Sequence, residues 1–144
     1  MYAAHAASHG FVLLPPAVLV SLRVEFGASF TTLGAVATVS SMLYGLGALP
    51  AGLLADRVGA PVLLRAFAGL SILGCVLATV APGVWWLAGA LALLGAAGAL
   101  YHPSGLAELT LNAPGGGREL GVHGSWGNVG TAVAAQDCFR FYLS

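Results

Sequence analysis

Ala66 to Ala107 reads AFAGLSILGCVLATVAPGVWWLAGALALLGAAGALYHPSGLA, 42 consecutive residues without a charge. A helix crosses the hydrocarbon core of a bilayer with about 20 apolar residues, rising about 1.5 Å per residue. This stretch therefore holds two crossings, and Ala81-Pro82-Gly83 supplies the turn near its middle. Working outward, Met1 to Leu22, Phe26 to Ala55 and Leu120 to Gln136 are also free of charge. The first two each fit one crossing; the last, at 17 residues, is barely long enough. Strands are a poor alternative, because barrel strands alternate in polarity over about 10 residues. Val84 to Leu94 is apolar on every face, and a helix alone pairs its own backbone within lipid.

The rest of the composition agrees. The 144 residues are 58% hydrophobic and 7% charged, with five arginines, five acids and no lysine. A soluble domain carries roughly 25% charged residues. Mean hydropathy is +0.90, which excludes an ordinary water-soluble globule and also disorder. Zero net charge without lysine argues against a nucleic-acid partner. The N-terminus lacks the basic region and small-residue cleavage site of a signal peptide, and is read as retained. Cys75 falls deep in a span and Cys138 in the tail, so no disulfide is expected.

The expected fold is all-α and polytopic, with four full transmembrane helices and a truncated fifth. The spans cover about 4–22, 32–54, 62–81, 84–107 and 120–135. Residues 1–135 form one partial helical bundle, and 136–144 an atypical tail. Pro15-Pro16 removes two amide donors and predicts a kink near the carbonyls of Phe11 and Val12. A connector over 23–31 joins the first two spans, and a polar turn over 55–60 the next two. Pro61 suits the first turn of the third span. Trp85 and Trp86 mark the interfacial end of the fourth, and Pro103 interrupts its other end. Small residues recur four apart around Gly45, and Gly121, Gly124, Gly127 and Gly130 recur every third residue. Both patterns mark faces where helix backbones can approach closely. Arg57, Arg65 and Arg118 fall on one side and Arg23 on the other. That asymmetry puts the N-terminus and the even connectors in the cytoplasm of a multi-pass inner (plasma) membrane protein.

The most specific stretch is Gly52-Leu53-Leu54-Ala55-Asp56-Arg57-Val58-Gly59. Gly52 permits close packing at a helix end. Asp56 places an anion at the membrane surface, able to accept bonds from a helix N-terminus or an arginine. Gly59 permits a tight reversal. An ordinary polar turn would carry the same charges. In order and position the stretch resembles the signature loop between helices 2 and 3 of major facilitator superfamily transporters. Tyr101 to Gly105 and Gly121 to Gly130 are similar to a bacterial branch that includes fosmidomycin-resistance-like members. The resemblance spans residues 8–134. It implies part of the N-terminal six-helix half of a twelve-helix transporter, with Gly52, Asp56, Arg57 and Gly59 in a conformational latch. Ala60-Pro61 stands where that family carries a basic pair, with Arg65 a partial substitute. The pattern breaks after Ala135, as expected of a truncated or frame-shifted product.

Ionisable groups inside a bilayer are functional candidates because burying them is costly. His9, His102 and His123 are the candidates for a substrate or proton path, since imidazole titrates near neutral pH. Asn128 joins them, with an interhelical hydrogen bond as its other reading. His5 shares a helix face with His9 but is placed at the water interface. Those two alone lack the further ligands of a zinc site, so neither metal nor cofactor is expected. The loop over 111–119 lacks the Lys-Ser/Thr ending of a phosphate-binding loop. Ser104 and Ser125 have no base and orienting carboxylate, so no enzyme is expected. The function implied is secondary transport of a small molecule across the lipid bilayer, by alternating access and proton-coupled, once the missing helices complete the fold. The chain by itself is not expected to transport. The alternative is a small helical membrane protein that acts by associating with a partner.

Overall fold

A computed structural model describes residues 1–112 and 116–143, with side chains through Gln136. Ala113-Pro114-Gly115, within the loop expected over 111–119, lies outside the described residues. Everything regular among the described residues is α-helix: α1 (Tyr2–Ala17), α2 (Leu19–Phe26), α3 (Phe30–Val58), α4 (Ala60–Thr79), α5 (Val84–Asn112) and α6 (Gly117–Leu143).

The connectors are shorter than the sequence suggested. α3 begins at Phe30 because Ser29 caps it, its Oγ accepting from the Thr32 amide at 3.0 Å. Gly27 closes α2 in the left-handed region. The polar turn expected over 55–60 shrinks to one residue. α3 stays helical through Val58, Gly59 takes φ +88°, and α4 starts at once with Pro61 in its first turn. The Gly59 amide still bonds the Ala55 carbonyl at 2.8 Å, so the reversal leaves that donor satisfied.

The first expected span is two helices, bent by 58°. The bend falls at Val18, downstream of the carbonyls of Phe11 and Val12 where the kink was expected. Proline's fixed φ is itself helical, so the chain runs through Pro15 and Pro16 without breaking. The turn they weaken yields afterwards, at a β-branched residue with φ −104°.

Length and apolarity qualify α3, α4 and α5 as candidate membrane spans, and a fourth if the bent α1–α2 pair counts as one. α6 is not among them, although it is 27 residues long. His123, Ser125, Asn128 and the recurring glycines dilute its hydrophobicity. The change of sequence pattern after Ala135 does not end the helix, which continues to Leu143.

α5 is the hub: α3 and α4 pack along it, α1 touches it, and α6 docks on α1. Half of the apolar window of α5 is buried, against 17% for α3. Leu46, Leu49 and Leu53 are 60 to 75% exposed on α3, a large apolar surface that water would penalise and lipid tolerates. Contacts between helices are small and close. The Ser40 hydroxyl donates to the Leu91 carbonyl at 2.8 Å, and Gly95 lies directly against the Ser40 backbone. Contacts rise in step along α3 and α5 (Ser40 with Leu91, Tyr44 with His102), so these two helices run parallel. α1 and α6 also run parallel: Tyr2 bonds Glu119, and Gly130 meets Ala6. The start of α1, the α3–α4 turn, the end of α5 and the start of α6 therefore share one end of the bundle.

Candidate functional site

His5 and His9 are one helical turn apart on α1 and project to the same side. His102 reaches them from α5 and His123 from α6. Ring centroids of His5 and His9 are 4.8 Å apart, those of His5 and His102 5.4 Å, and those of His9 and His102 5.3 Å. These three rings meet nearly edge to face, at 68°, 85° and 90°. The His123 ring instead stacks on His5 at 4.0 Å and 12°.

Hydrogen bonds fix most of the protons. His5 Nδ1 lies 2.7 Å from the His123 carbonyl, which can only accept, so Nδ1 carries the proton. In the neutral ring His5 Nε2 is then the acceptor, and His9 Nε2, 3.1 Å away, the donor. The Tyr101 hydroxyl donates to the Met1 carbonyl at 2.8 Å and accepts from His123 Nε2 at 3.0 Å. The Tyr44 hydroxyl bonds His102 Nε2. Ser8 is fully buried, and its hydroxyl donates to the His5 carbonyl at 2.8 Å.

His5 and His123 are buried, and His9 and His102 half-buried. His5, His102 and His123 line a cleft of about 380 Å³ with Ala48, Pro103 and Leu106. Counted along the helices at about 1.5 Å per residue, the imidazoles lie from about 5 Å (His5) to about 15 Å (His102) inside the helix ends. Four imidazoles and two phenols thus form one cluster within an otherwise apolar bundle, in which the hydrogen-bonded group of His5, His9, His123 and Tyr101 meets the Tyr44–His102 pair through ring contacts. Such a network can pass a proton between neighbouring rings, orient a polar solute, or present nitrogen lone pairs to a cation.

A family model for the Major Facilitator Superfamily matches residues 2–135. The chain belongs to that superfamily. No curated protein and no solved structure matches it significantly. Membership makes it a multi-pass membrane protein of a transporter family, not an enzyme.

Within this superfamily member, the structure brings His9, His102 and His123 together and leaves Asn128 apart, exposed on α6. His5, expected at the water interface, is 7% exposed at the centre of the network. It is buried because α6 covers α1, and local sequence carries no trace of that contact. Its spacing from His9 was the available signal. Tyr44 and Tyr101 were missed because an aromatic in an apolar helix ordinarily reads as packing; Tyr101 indeed also packs on Phe67, with ring centroids 5.0 Å apart.

The motif residues stand at the end of α3. Asp56 and Arg57 are exposed, and Gly59 makes the reversal. Gly52 has Pro103 of α5 within 3.7 Å of where a Cβ would stand, so the motif helix packs on the residue next to His102. Of the expected packing glycines, Gly127 sits against the rings of His5 and His9, and Gly130 against Ala6. Gly45, Gly121 and Gly124 have nothing within 4 Å of a Cβ position. Spacing identified small-residue faces but not which members of each meet a neighbour.

Proposed function

We propose that the chain contributes one wall of a proton-coupled secondary transporter for a small organic solute. The observation that carries this reading is the cluster of His5, His9, His102, His123, Tyr44 and Tyr101, joined by hydrogen bonds and ring contacts in an apolar superfamily bundle. Ionisable groups at such depth are costly to bury, which makes them candidates for acting on a substrate or proton. His9, His102 and His123 line the path. Asn128, exposed on α6, contributes from the face that further helices would cover. Asp56 and Arg57, with Gly52 and Gly59, form the latch, on the cytoplasmic side with the N-terminus. The fosmidomycin-resistance-like branch is favoured by Tyr101 to Gly105, which supplies two members of the network. α6 counts as a fifth, partial crossing, sheltered by α1.

A substrate cavity in this family lies between two repeats near the midplane, and the chain supplies helices for one side only. Reconstituted alone, it gives no solute uptake above empty vesicles under an imposed pH gradient. Co-reconstituted with the other six-helix half of a superfamily transporter, it restores gradient-driven uptake, which His102→Ala abolishes. Uptake by the chain alone, or uptake indifferent to His102, contradicts the proposal. Sidedness is checked by cysteine labelling in intact cells: a thiol at Val24 reacts from outside and one at Arg57 does not.

A second reading is association with a helical partner. It is favoured by Gly121 and Gly124, whose open positions on α6 leave a small-residue face uncovered. Crosslinking from thiols at these two positions to a discrete membrane protein, with no effect of the histidines, would favour it.

A further inference from the structure

The geometry points to a transition-metal site formed by His5, His9 and His102, which fastens α1 to α5. Each residue offers one ring nitrogen, and the three nitrogens lie within 4.8 Å of one another. Two imidazole nitrogens on one tetrahedral zinc, each at about 2.0–2.1 Å, stand about 3.3 Å apart. His5 Nε2 and His9 Nε2 already stand 3.1 Å apart. The near-perpendicular rings described above suit ligands converging on one centre, whereas the stacked ring of His123 does not converge with them.

His5 is also prepared as a ligand. Its Nδ1–H donates to the His123 carbonyl, which fixes the tautomer and aims the Nε2 lone pair at the common point. A backbone carbonyl in that outer position is the usual support for a metal-bound imidazole. The Tyr44 hydroxyl bonds Nε2 of His102 and so orients that ring. With its proton on Nδ1 instead of Nε2, His9 presents a second lone pair beside that of His5. His5 and His102 line the cleft with Pro103 and Leu106, from which water, hydroxide or an anionic group would complete the tetrahedron. An all-nitrogen set selects zinc, cobalt, nickel or copper and rejects magnesium and calcium, which demand oxygen. The sequence could not reveal the site, because its third ligand lies 93 residues beyond His9 and arrives only when α5 packs on α1. The site does not depend on the transport reading.

The test uses the full chain in detergent micelles with Cys75→Ser and Cys138→Ser, so that no thiolate competes. Zn²⁺ is titrated against a chromophoric chelator, and Co²⁺ reports coordination through its visible absorption. The expected result is saturable binding of one ion per chain, a tetrahedral Co²⁺ spectrum, and no competition from Mg²⁺ or Ca²⁺. His9→Gln and His102→Gln keep side-chain bulk and hydrogen bonding but remove a ligand. Each should weaken binding by more than the about 10–100-fold that loss of an outer-shell partner costs. His123→Ala retains the backbone carbonyl and should retain binding. Helix content by circular dichroism accompanies every variant. Absence of saturable binding by a chain with full helix content overturns the proposal, as does binding that survives in His9→Gln and His102→Gln. Transport assays do not enter either outcome, so a failed metal site and a failed transporter reading are told apart.

Discussion

A Cβ built on Gly130 would stand 1.9 Å from the carbonyl oxygen of Ala6. The obstacle is backbone, which no rotamer change can move, so α1 and α6 approach this closely at position 130 because it has no side chain. Gly130→Ala should therefore separate the two helices at a cost of about 1–3 kcal/mol, the range for overpacking. Gly124→Ala is the control. It meets open space, and replacing glycine in a helix should leave stability unchanged or raised by about 0.5–1 kcal/mol. Unfolding in micelles followed by circular dichroism distinguishes the pair, and equal effects would remove Gly130 from the interface.

The α3–α5 interface offers a comparison of steric and hydrogen-bond contributions. Gly95→Ala drives a methyl to 2.2 Å from the Ser40 carbonyl oxygen. Ser40→Ala removes only the hydrogen bond to the Leu91 carbonyl. Interhelical hydrogen bonds in membrane proteins average about 0.6 kcal/mol, against about 1–3 kcal/mol for overpacking. Gly95→Ala should be the more damaging in the same unfolding measurement, and the reverse order would show that the hydroxyl dominates this contact.

Tyr101→Phe isolates the hydroxyl that joins Met1 to His123. The ring keeps its packing on Phe67, so the loss is confined to two hydrogen bonds. Each contributes about 0.5–1.5 kcal/mol net. Hydrogen exchange should accelerate at the first turn of α1, including the His5 amide that bonds the Met1 carbonyl at 3.1 Å. Unchanged protection there would mean that α6 alone anchors the N-terminus.

Gly59→Ala tests the reversal between α3 and α4. With φ at +88°, a Cβ is strained whatever space surrounds it, at a cost of about 1–3 kcal/mol. Protease accessibility at residues 56–60 should rise. The neighbouring Ala60→Ser, inside α4 with no such constraint, should not raise it.

Some of this architecture is written locally. Uncharged runs around Leu46, Val76 and Leu91 dictate helices in lipid, because no other segment pairs its own backbone there. Gly59 before Pro61 dictates a reversal, since both act through their own φ angles. The family signal in 52–59 is likewise local and survives without knowledge of any contact. The bend at Val18 is a mixed case: Pro15 and Pro16 foretell weakness in the helix, while the position of the break depends on how the following turn relaxes.

What sequence determined by itself, then, is a set of apolar helices, their order and the end at which the arginines gather. The tertiary structure alone decided that His5, His9, His102 and His123 meet. Helix periodicity fixes which residues share a face within eight or so positions, but contacts between α1, α5 and α6 span about a hundred residues. They are set by where Gly95, Gly127 and Gly130 let backbones close to contact distance. Close approach is a property of two surfaces together, and neither surface encodes it alone.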